Sequence, residues 1–137
     1  MRILIVHNHY GRFAQGGEAN VMEAEAHLLT EHGHDVMKYE RTNAEIYEDG
    51  TFADKIRALR DVAWSEKSYR EIKNVIQNFR PDIMHVHNYW LILTPSILAA
   101  AKDCNVATVL TLHNYRLICP GNQMLCNGSI CEACIHG

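Results

Sequence analysis

The sequence predicts an α/β protein built on a parallel sheet with helices on both faces. Short apolar runs recur along the chain without alternating with polar residues, as expected of buried parallel strands. Segments with helical spacing separate those runs. The glycine pair Gly16-Gly17 stands between the first apolar run and the first helical segment, as in the opening unit of many such sheets. We therefore predict a Rossmann-like α/β domain.

Composition limits the class of protein. A chain of 137 residues has the size of one domain, and a hydrophobic content of 47% is enough to form a core. No apolar run approaches the roughly 20 residues of a membrane helix, and the amino-terminal segment has no signal-peptide pattern. We place the chain in the cytoplasm, with a peripheral position at the inner membrane face left open. A net charge of −3 and scattered basic residues argue against nucleic acid as a partner.

The first half of the chain gives a strand, a helix and a second strand. Residues 2–6 form an unbroken apolar run, and residues 18–33 have apolar side chains at helical spacing. Gly33 stands where a helix often ends with a positive φ. Residues 35–39 alternate in part, as a strand does, and the polar, acidic residues 41–50 predict a loop.

Two helices and a third strand are predicted next. Residues 51–64 have mixed helical spacing and indicate a short helix. A clearer helix runs to Phe79, with Ser68 and Glu71 as its capping box and Pro81 preventing its continuation. Residues 83–87 then form the third strand.

The carboxyl-terminal third begins with a helix and ends without regular spacing. Thr94 is predicted as the N-cap and Pro95 as the first residue of a helix that continues through residues 96–102. Residues 106–112 are rich in β-branched side chains and predict a fourth strand. From residue 113 to residue 137 we expect an irregular, cysteine-rich loop.

Polar side chains follow three of the predicted strands where each strand ends. Because ligands of open parallel sheets bind at the carboxyl ends of the strands, we expect these groups to line one site. A single histidine at a strand end is often only a hydrogen-bonded polar cap, but three such groups together suit a ligand with hydroxyl groups, such as a sugar. The three segments are His7-Asn8-His9-Tyr10, His85-Val86-His87-Asn88-Tyr89-Trp90 and His113-Asn114-Tyr115-Arg116.

Four cysteines crowd into the last segment. Cys119, Cys126, Cys131 and Cys134 lie within sixteen residues and end in a C-x-x-C pair, which suits a structural zinc ion. The spacing is not that of a standard zinc ribbon, and free cysteines in a loop are also incidental in many proteins. The sequence leaves both interpretations open. No nucleophile motif, P-loop or G-x-G-x-x-G spacing is present.

Taken in order, these motifs resemble the amino-terminal domain of family 4 (group 1) glycosyltransferases, which have the GT-B fold. The resemblance covers almost the whole chain. The segments that carry it are residues 1–7, 16–18, 23–29, 33–36, 81–88 and 111–120.

The resemblance implies a retaining transferase that moves a sugar from a nucleotide diphosphate sugar to an acceptor hydroxyl. The acceptor would be a glycan, a lipid-linked compound or a small molecule, and no cofactor would be needed for catalysis. It implies that Gly16 and Gly17 approach the donor diphosphate or the acceptor and that His113 faces the transferred sugar. His87 and Asn114 are expected to contact substrate beside it.

The resemblance also implies a second domain. In this family a carboxyl-terminal domain with an E-x7-E motif binds the nucleotide, and residues 1–137 do not include it. We therefore expect the chain to be an acceptor-side fragment that is inactive alone and pairs with that domain. The alternative is a non-catalytic α/β binding module stabilised by zinc on the cysteines.

Overall fold

The computed structural model of this chain describes residues 1–11 and 16–134. Four strands form the main sheet, and all of them are parallel. They are β1 (Arg2–His9), β2 (Asp35–Thr42), β3 (Ile83–Asn88) and β4 (Ala107–Leu110), arranged in the order β2-β1-β3-β4.

Helices lie between the strands along the chain, as the alternating pattern predicts. The described residues contain α1 (Gly17–Glu31), α2 (Ala44–Tyr47), α3 (Phe52–Arg60), α4 (Glu66–Phe79) and α5 (Ser96–Asp103). None of them combines the length and apolarity that crossing a bilayer requires.

The sheet carries a hydrophobic cluster on each face, which explains why its strands are apolar without alternation. On one face, Leu4 and Val86 pack with buried residues of α4 and α5. On the other face, Ile3 and Ile5 pack with Met22 of α1. Both layers exclude water from the central strands. The predicted Rossmann-like α/β class, with helices on both faces, is confirmed.

Helix α1 ends as the sequence predicts. Gly33 has φ +80°, a left-handed conformation that glycine adopts without strain. Its N–H donates to Thr30 O at 3.0 Å, and the N–H of His34 donates to Leu29 O at 3.1 Å. These two bonds make a Schellman motif, which satisfies carbonyls at the helix end and turns the chain into β2.

The predicted loop at residues 41–50 contains α2, so that prediction was wrong in part. The N–H groups of Ile46 and Tyr47 both donate to Asn43 O at 3.0 Å, and Ala44 is buried. The polar composition concealed this turn because its order comes from tertiary contacts of Asn43. Helix α3 is also shorter than predicted and ends at Arg60.

The predicted capping box of α4 was wrong. Ser65 is the N-cap, and its hydroxyl accepts from the N–H of Ser68 at 3.2 Å. Ser68 lies inside the helix, and its hydroxyl donates to Ile92 O at 2.9 Å. A capping box is present instead at α3, between Thr51 and Asp54.

The start of α5 also differs from the prediction. Pro95, rather than Thr94, occupies the N-cap position. The Thr94 hydroxyl still accepts from two N–H groups, those of Ser65 at 3.1 Å and Ser96 at 3.4 Å. Thr94 therefore joins the starts of α4 and α5 rather than capping α5 alone.

Residues 113–134 are irregular, as predicted, except for one hairpin. Strand β4 stops at Leu110, earlier than predicted, where its pairing with Val86 of β3 ends. A small antiparallel pair follows, β5 (Leu125–Cys126) and β6 (Ser129–Ile130). Asn127 and Gly128, which connect these two strands, both have positive φ, as in a tight two-residue turn.

Candidate functional site

The carboxyl ends of β1 and β3 bring buried polar residues to one edge of the sheet. His7 and Asn8 lie at the end of β1, and His87 and Asn88 lie at the end of β3. His7 pairs with Asn88 in the sheet register, and all four residues are at most 8% exposed. Buried polar groups of this kind must find partners, and those partners define the site.

His87 and His113 are in direct contact. Nδ1 of His87 lies 3.0 Å from Nε2 of His113, and the two rings stack with centroids 5.3 Å apart. The segment after β4 therefore returns to the end of β3. The other ring nitrogen of His113, Nδ1, takes no part in this contact. His113 is only partly buried.

The glycine pair lies at the same edge. Gly16 is the N-cap of α1 and Gly17 is its first residue. In the next position, Glu18 Oε1 accepts from Asn114 Nδ2 at 3.2 Å and from the hydroxyl of Tyr10 at 3.3 Å. The structure thus brings Gly16, Gly17, His87, His113 and Asn114 together, while Gln15, which precedes the pair, lies outside the described residues.

The space beside both glycines is open. A β-carbon added at Gly16 or Gly17 would meet no atom within 4 Å, and neither residue has a positive φ. Packing and backbone conformation among the described residues therefore do not require glycine at these positions. Because the first N–H groups of a helix have no acceptor within the helix, a ligand can reach them here.

Three asparagines fix the loop that follows β3. The amide of Asn8 donates to Asn43 Oδ1 at 2.8 Å, and that oxygen also accepts from the N–H of Leu91 at 3.1 Å. Asn8 donates to Trp90 O as well, and Asn88 donates to Asn8 O at 2.8 Å. This buried network links β1, β3 and α2 and sets the position of Trp90.

A cation and an aromatic ring border the histidines. The guanidinium of Arg116 lies 4.8 Å from the ring centroid of Trp90, a cation–π distance. Trp90, Thr111, His113 and Arg116 line one groove. This groove combines a positive charge, an aromatic face and hydrogen-bonding groups.

Burial makes two of the histidines weak bases. Burial first, and then the neighbouring His9, lower the pKa of His7 to about 4. Burial, followed by His85 and His113, lowers the pKa of His87 to about 4 as well. Both rings are therefore neutral near pH 7, each with one donor and one acceptor nitrogen. Burial and Glu18 raise the pKa of Tyr10, so its phenol keeps its proton.

Sequence reasoning did not single out Glu25. Its carboxylate lies 2.7 Å from Nδ1 of His85 and 3.5 Å from Nε2 of His87. Glu25 follows the buried Met22 by three positions on α1, so it lies on the side of the helix that faces the sheet. The sequence pattern that could have identified Glu25 is a charged residue on the helix face that otherwise packs against the sheet.

A second depression lies along α3 and at the start of α4 rather than beside the histidines. It is lined by charged residues, among them Arg41, Glu45 and Arg57, together with Ser65 and Leu91. It contains none of the predicted site residues.

The structure does not gather the four cysteines. Cys126 and Cys134 are exposed, and Cys119 and Cys131 are partly buried. Among residues 1–11 and 16–134, Glu25, His85 and His87 form the set of three metal-ligating side chains whose ligand atoms lie within 4.8 Å of one another. Zinc on the cysteines stays a prediction, and residues 135–137 of that loop lie outside the described part.

Comparisons with known proteins identify the family. No curated protein and no solved structure matches the chain. The family model described as Glycosyltransferase Family 4 matches residues 15–124, which span α1, the strands β2, β3 and β4, and the His113 segment. The chain therefore belongs to glycosyltransferase family 4.

Proposed function

We propose that this chain is the acceptor-side domain of a retaining glycosyltransferase that moves a sugar from a nucleotide diphosphate sugar to an acceptor hydroxyl. The observation that carries the proposal is the meeting of the glycine pair with the His113–Asn114 segment through Glu18. A diphosphate at the glycines and a sugar at His113 would then be adjacent, as a transfer reaction needs.

His113 is proposed to face the transferred sugar. One of its nitrogens is engaged by Nδ1 of His87 at 3.0 Å, which orients the ring. The other nitrogen can accept from a sugar hydroxyl or donate to one, depending on which tautomer the His87 contact selects. His87, with its low pKa, would stay neutral and act as a positioning residue.

The leaving diphosphate needs stabilisation as its charge develops. The N–H groups at the start of α1 supply partial positive charge, and the absence of side chains at Gly16 and Gly17 permits close approach. Arg116 is a further cationic group on the same edge. Asn114 Nδ2 is held by Glu18 and Tyr10, and Oδ1 accepts from the N–H of Arg116 at 3.0 Å, so the second lone pair of that oxygen is what Asn114 would offer to substrate.

A second domain is part of this proposal. Large apolar side chains are exposed beyond β4, including Leu112 at 62%, Leu117 at 60% and Ile118 at 67%. Exposed apolar residues grouped in one segment are typical of surfaces that another unit covers. The nucleotide-binding domain that the family resemblance implies is the proposed occupant.

Transfer should be measured with the natural polypeptide that contains these residues. His113→Ala is expected to lower kcat by at least about a hundredfold, as loss of a group that acts in the transition state does. His27→Ala, on an exposed position of α1, is the matched control and should leave turnover unchanged.

Near-normal turnover of the His113 variant would contradict its role. Binding of nucleotide sugars without any transfer would instead favour the alternative, a non-catalytic binding module. The donor is identified by testing a panel of uridine, guanosine and adenosine diphosphate sugars.

A further inference from the structure

The structure places two histidines and a carboxylate in one buried cluster between α1 and β3. His85 and His87 are two positions apart on β3, so both side chains point to the face that α1 covers. The side chain of His85 is 11% exposed, that of His87 is fully buried, and that of Glu25 is 31% exposed.

Each histidine has one nitrogen already engaged away from Glu25. Nε2 of His85 lies 2.7 Å from the hydroxyl of Thr111, and Nδ1 of His87 lies 3.0 Å from His113. The opposite nitrogens, Nδ1 of His85 and Nε2 of His87, face the carboxylate. Metal-binding histidines are commonly held in this way, with the second nitrogen on an outer partner that fixes the ring.

Nε2 of His87 has no hydrogen-bond partner among the described residues although it is buried. Glu25 Oε2 lies 3.5 Å away but makes no hydrogen bond to it. When the proton of this ring is on Nδ1, a lone pair on Nε2 faces a carboxylate, and a cation between them relieves the repulsion. An unpartnered buried nitrogen of this kind is costly unless a ligand satisfies it.

We propose that Glu25, His85 and His87 bind a zinc ion or a similar divalent d-block cation. Two imidazole nitrogens and one carboxylate oxygen are a ligand set that zinc uses, whereas magnesium and calcium prefer oxygen alone. The three ligand atoms already lie within 4.8 Å of one another. The cation fastens α1 to β3 behind His113, and it has no assigned role in transfer.

The test measures metal binding directly and does not depend on transferase activity. The untagged chain is stripped with chelator, dialysed and titrated with Co²⁺ and then Zn²⁺. A variant with serine at positions 119, 126, 131 and 134 removes the predicted cysteine site. We expect this variant to bind one equivalent of Co²⁺, visible in its d–d absorption, and to gain thermal stability with Zn²⁺.

Glu25→Gln keeps the shape of the side chain and removes the charge. In this background with four serines we expect it to weaken Co²⁺ binding by at least about tenfold. His27→Ala, which alters an exposed histidine beside Glu31, should bind as the parent does. Far-UV circular dichroism of the metal-free proteins verifies that each variant is folded.

X-ray absorption of the Zn²⁺-loaded variant with the four serines needs no ligand substitution. We expect a first shell of nitrogen and oxygen with the multiple scattering of two imidazoles. Absence of binding, binding lost with the cysteines, unchanged affinity in Glu25→Gln or a shell without imidazole would each overturn the proposal.

Discussion

Asn114 donates to Glu18 at 3.2 Å and thereby joins the His113 segment to the first turn of α1. The two residues are 96 positions apart in sequence, and both adjoin predicted site residues. This bond holds the glycine pair and the His113 segment, which belong to distant parts of the chain, beside each other at one edge of the sheet.

Gly17→Ala should separate stability from function. A β-carbon there meets no atom, so the free energy of unfolding should be unchanged or rise by up to about 1 kcal/mol, as expected when alanine replaces glycine in a helix. If the glycine backbone approaches the diphosphate, the added methyl should still raise KM for the donor or lower kcat in the natural polypeptide.

Gly33→Ala is the matched control for that experiment. Gly33 has φ +80°, where an L side chain is strained, so this variant should lose about 1 kcal/mol of unfolding free energy while kinetics stay normal. Urea denaturation and steady-state kinetics on both variants provide the measurements. Unchanged donor kinetics in Gly17→Ala would remove the loop from the donor site.

His7 should make folding stability depend on pH. Its pKa falls from the ordinary 6.5 to about 4 on folding, chiefly through burial. Between these values the unfolded chain binds a proton that the folded chain does not, so stability is full above about 6.5 and declines as the pH falls toward 4. The loss from this one residue between about pH 7.5 and about pH 5 should be about 2 kcal/mol.

Urea denaturation at both pH values, with chelator present, measures this effect. Carboxylates also titrate in the range, so the informative quantity is the difference between the parent and His7→Gln, whose pH dependence should be flatter by that amount. His27→Gln, at an exposed position, should follow the parent. Equal pH dependence in the parent and His7→Gln would show that His7 is not a weakened base.

The main sheet could be predicted from sequence because its strands are buried on both faces. Short apolar runs without alternation are typical of strands in such a sheet, and the rule that parallel strands share a carboxyl edge then places His87 and His113 together. Asn-Gly is typical of two-residue hairpin turns, so Asn127 and Gly128 could also have predicted the hairpin. Sequence reasoning overlooked this pair.

Other features depended on contacts that sequence does not reveal. Ser65 and Ser68 are both plausible helix caps locally, and the choice is set by Ile92 O, which accepts from Ser68. Helix α2 is held by Asn43, whose partners lie on β1 and after β3. Glu25 was missed because only the folded chain shows which residues of β3 it meets.

Asn43→Ala should destabilise the fold by about 2 kcal/mol, because it leaves the buried N–H of Leu91 without its acceptor and removes one of the two acceptors of the Asn8 amide, which keeps Trp90 O. Asn74→Ala, on an exposed position of α4, should change the unfolding free energy by less than about 0.5 kcal/mol. Chemical denaturation compares the two. Similar small losses in both would show that the asparagine network does not order the loop after β3.

Arg41 ties three elements together and should matter for stability more than any exposed arginine. Its guanidinium donates to both oxygens of Glu45, at 2.9 and 2.5 Å, and to Glu71 of α4 at 2.5 Å, while its side chain is only 14% exposed. Arg41→Ala removes the cation from the exposed Glu45 and leaves the partly buried Glu71 with Tyr39 and the more distant Lys67, at an expected cost of about 1 to 2 kcal/mol.

Arg60→Ala removes the same charge from a site where the side chain is 76% exposed, and its pair with Asp61 is screened by water. That variant should lose clearly less stability than Arg41→Ala. Thermal and urea denaturation at low and high salt distinguish the two, since the loss at Arg41 should persist in high salt. Equal losses at both positions would mean that partial burial adds nothing to the Arg41 pairs.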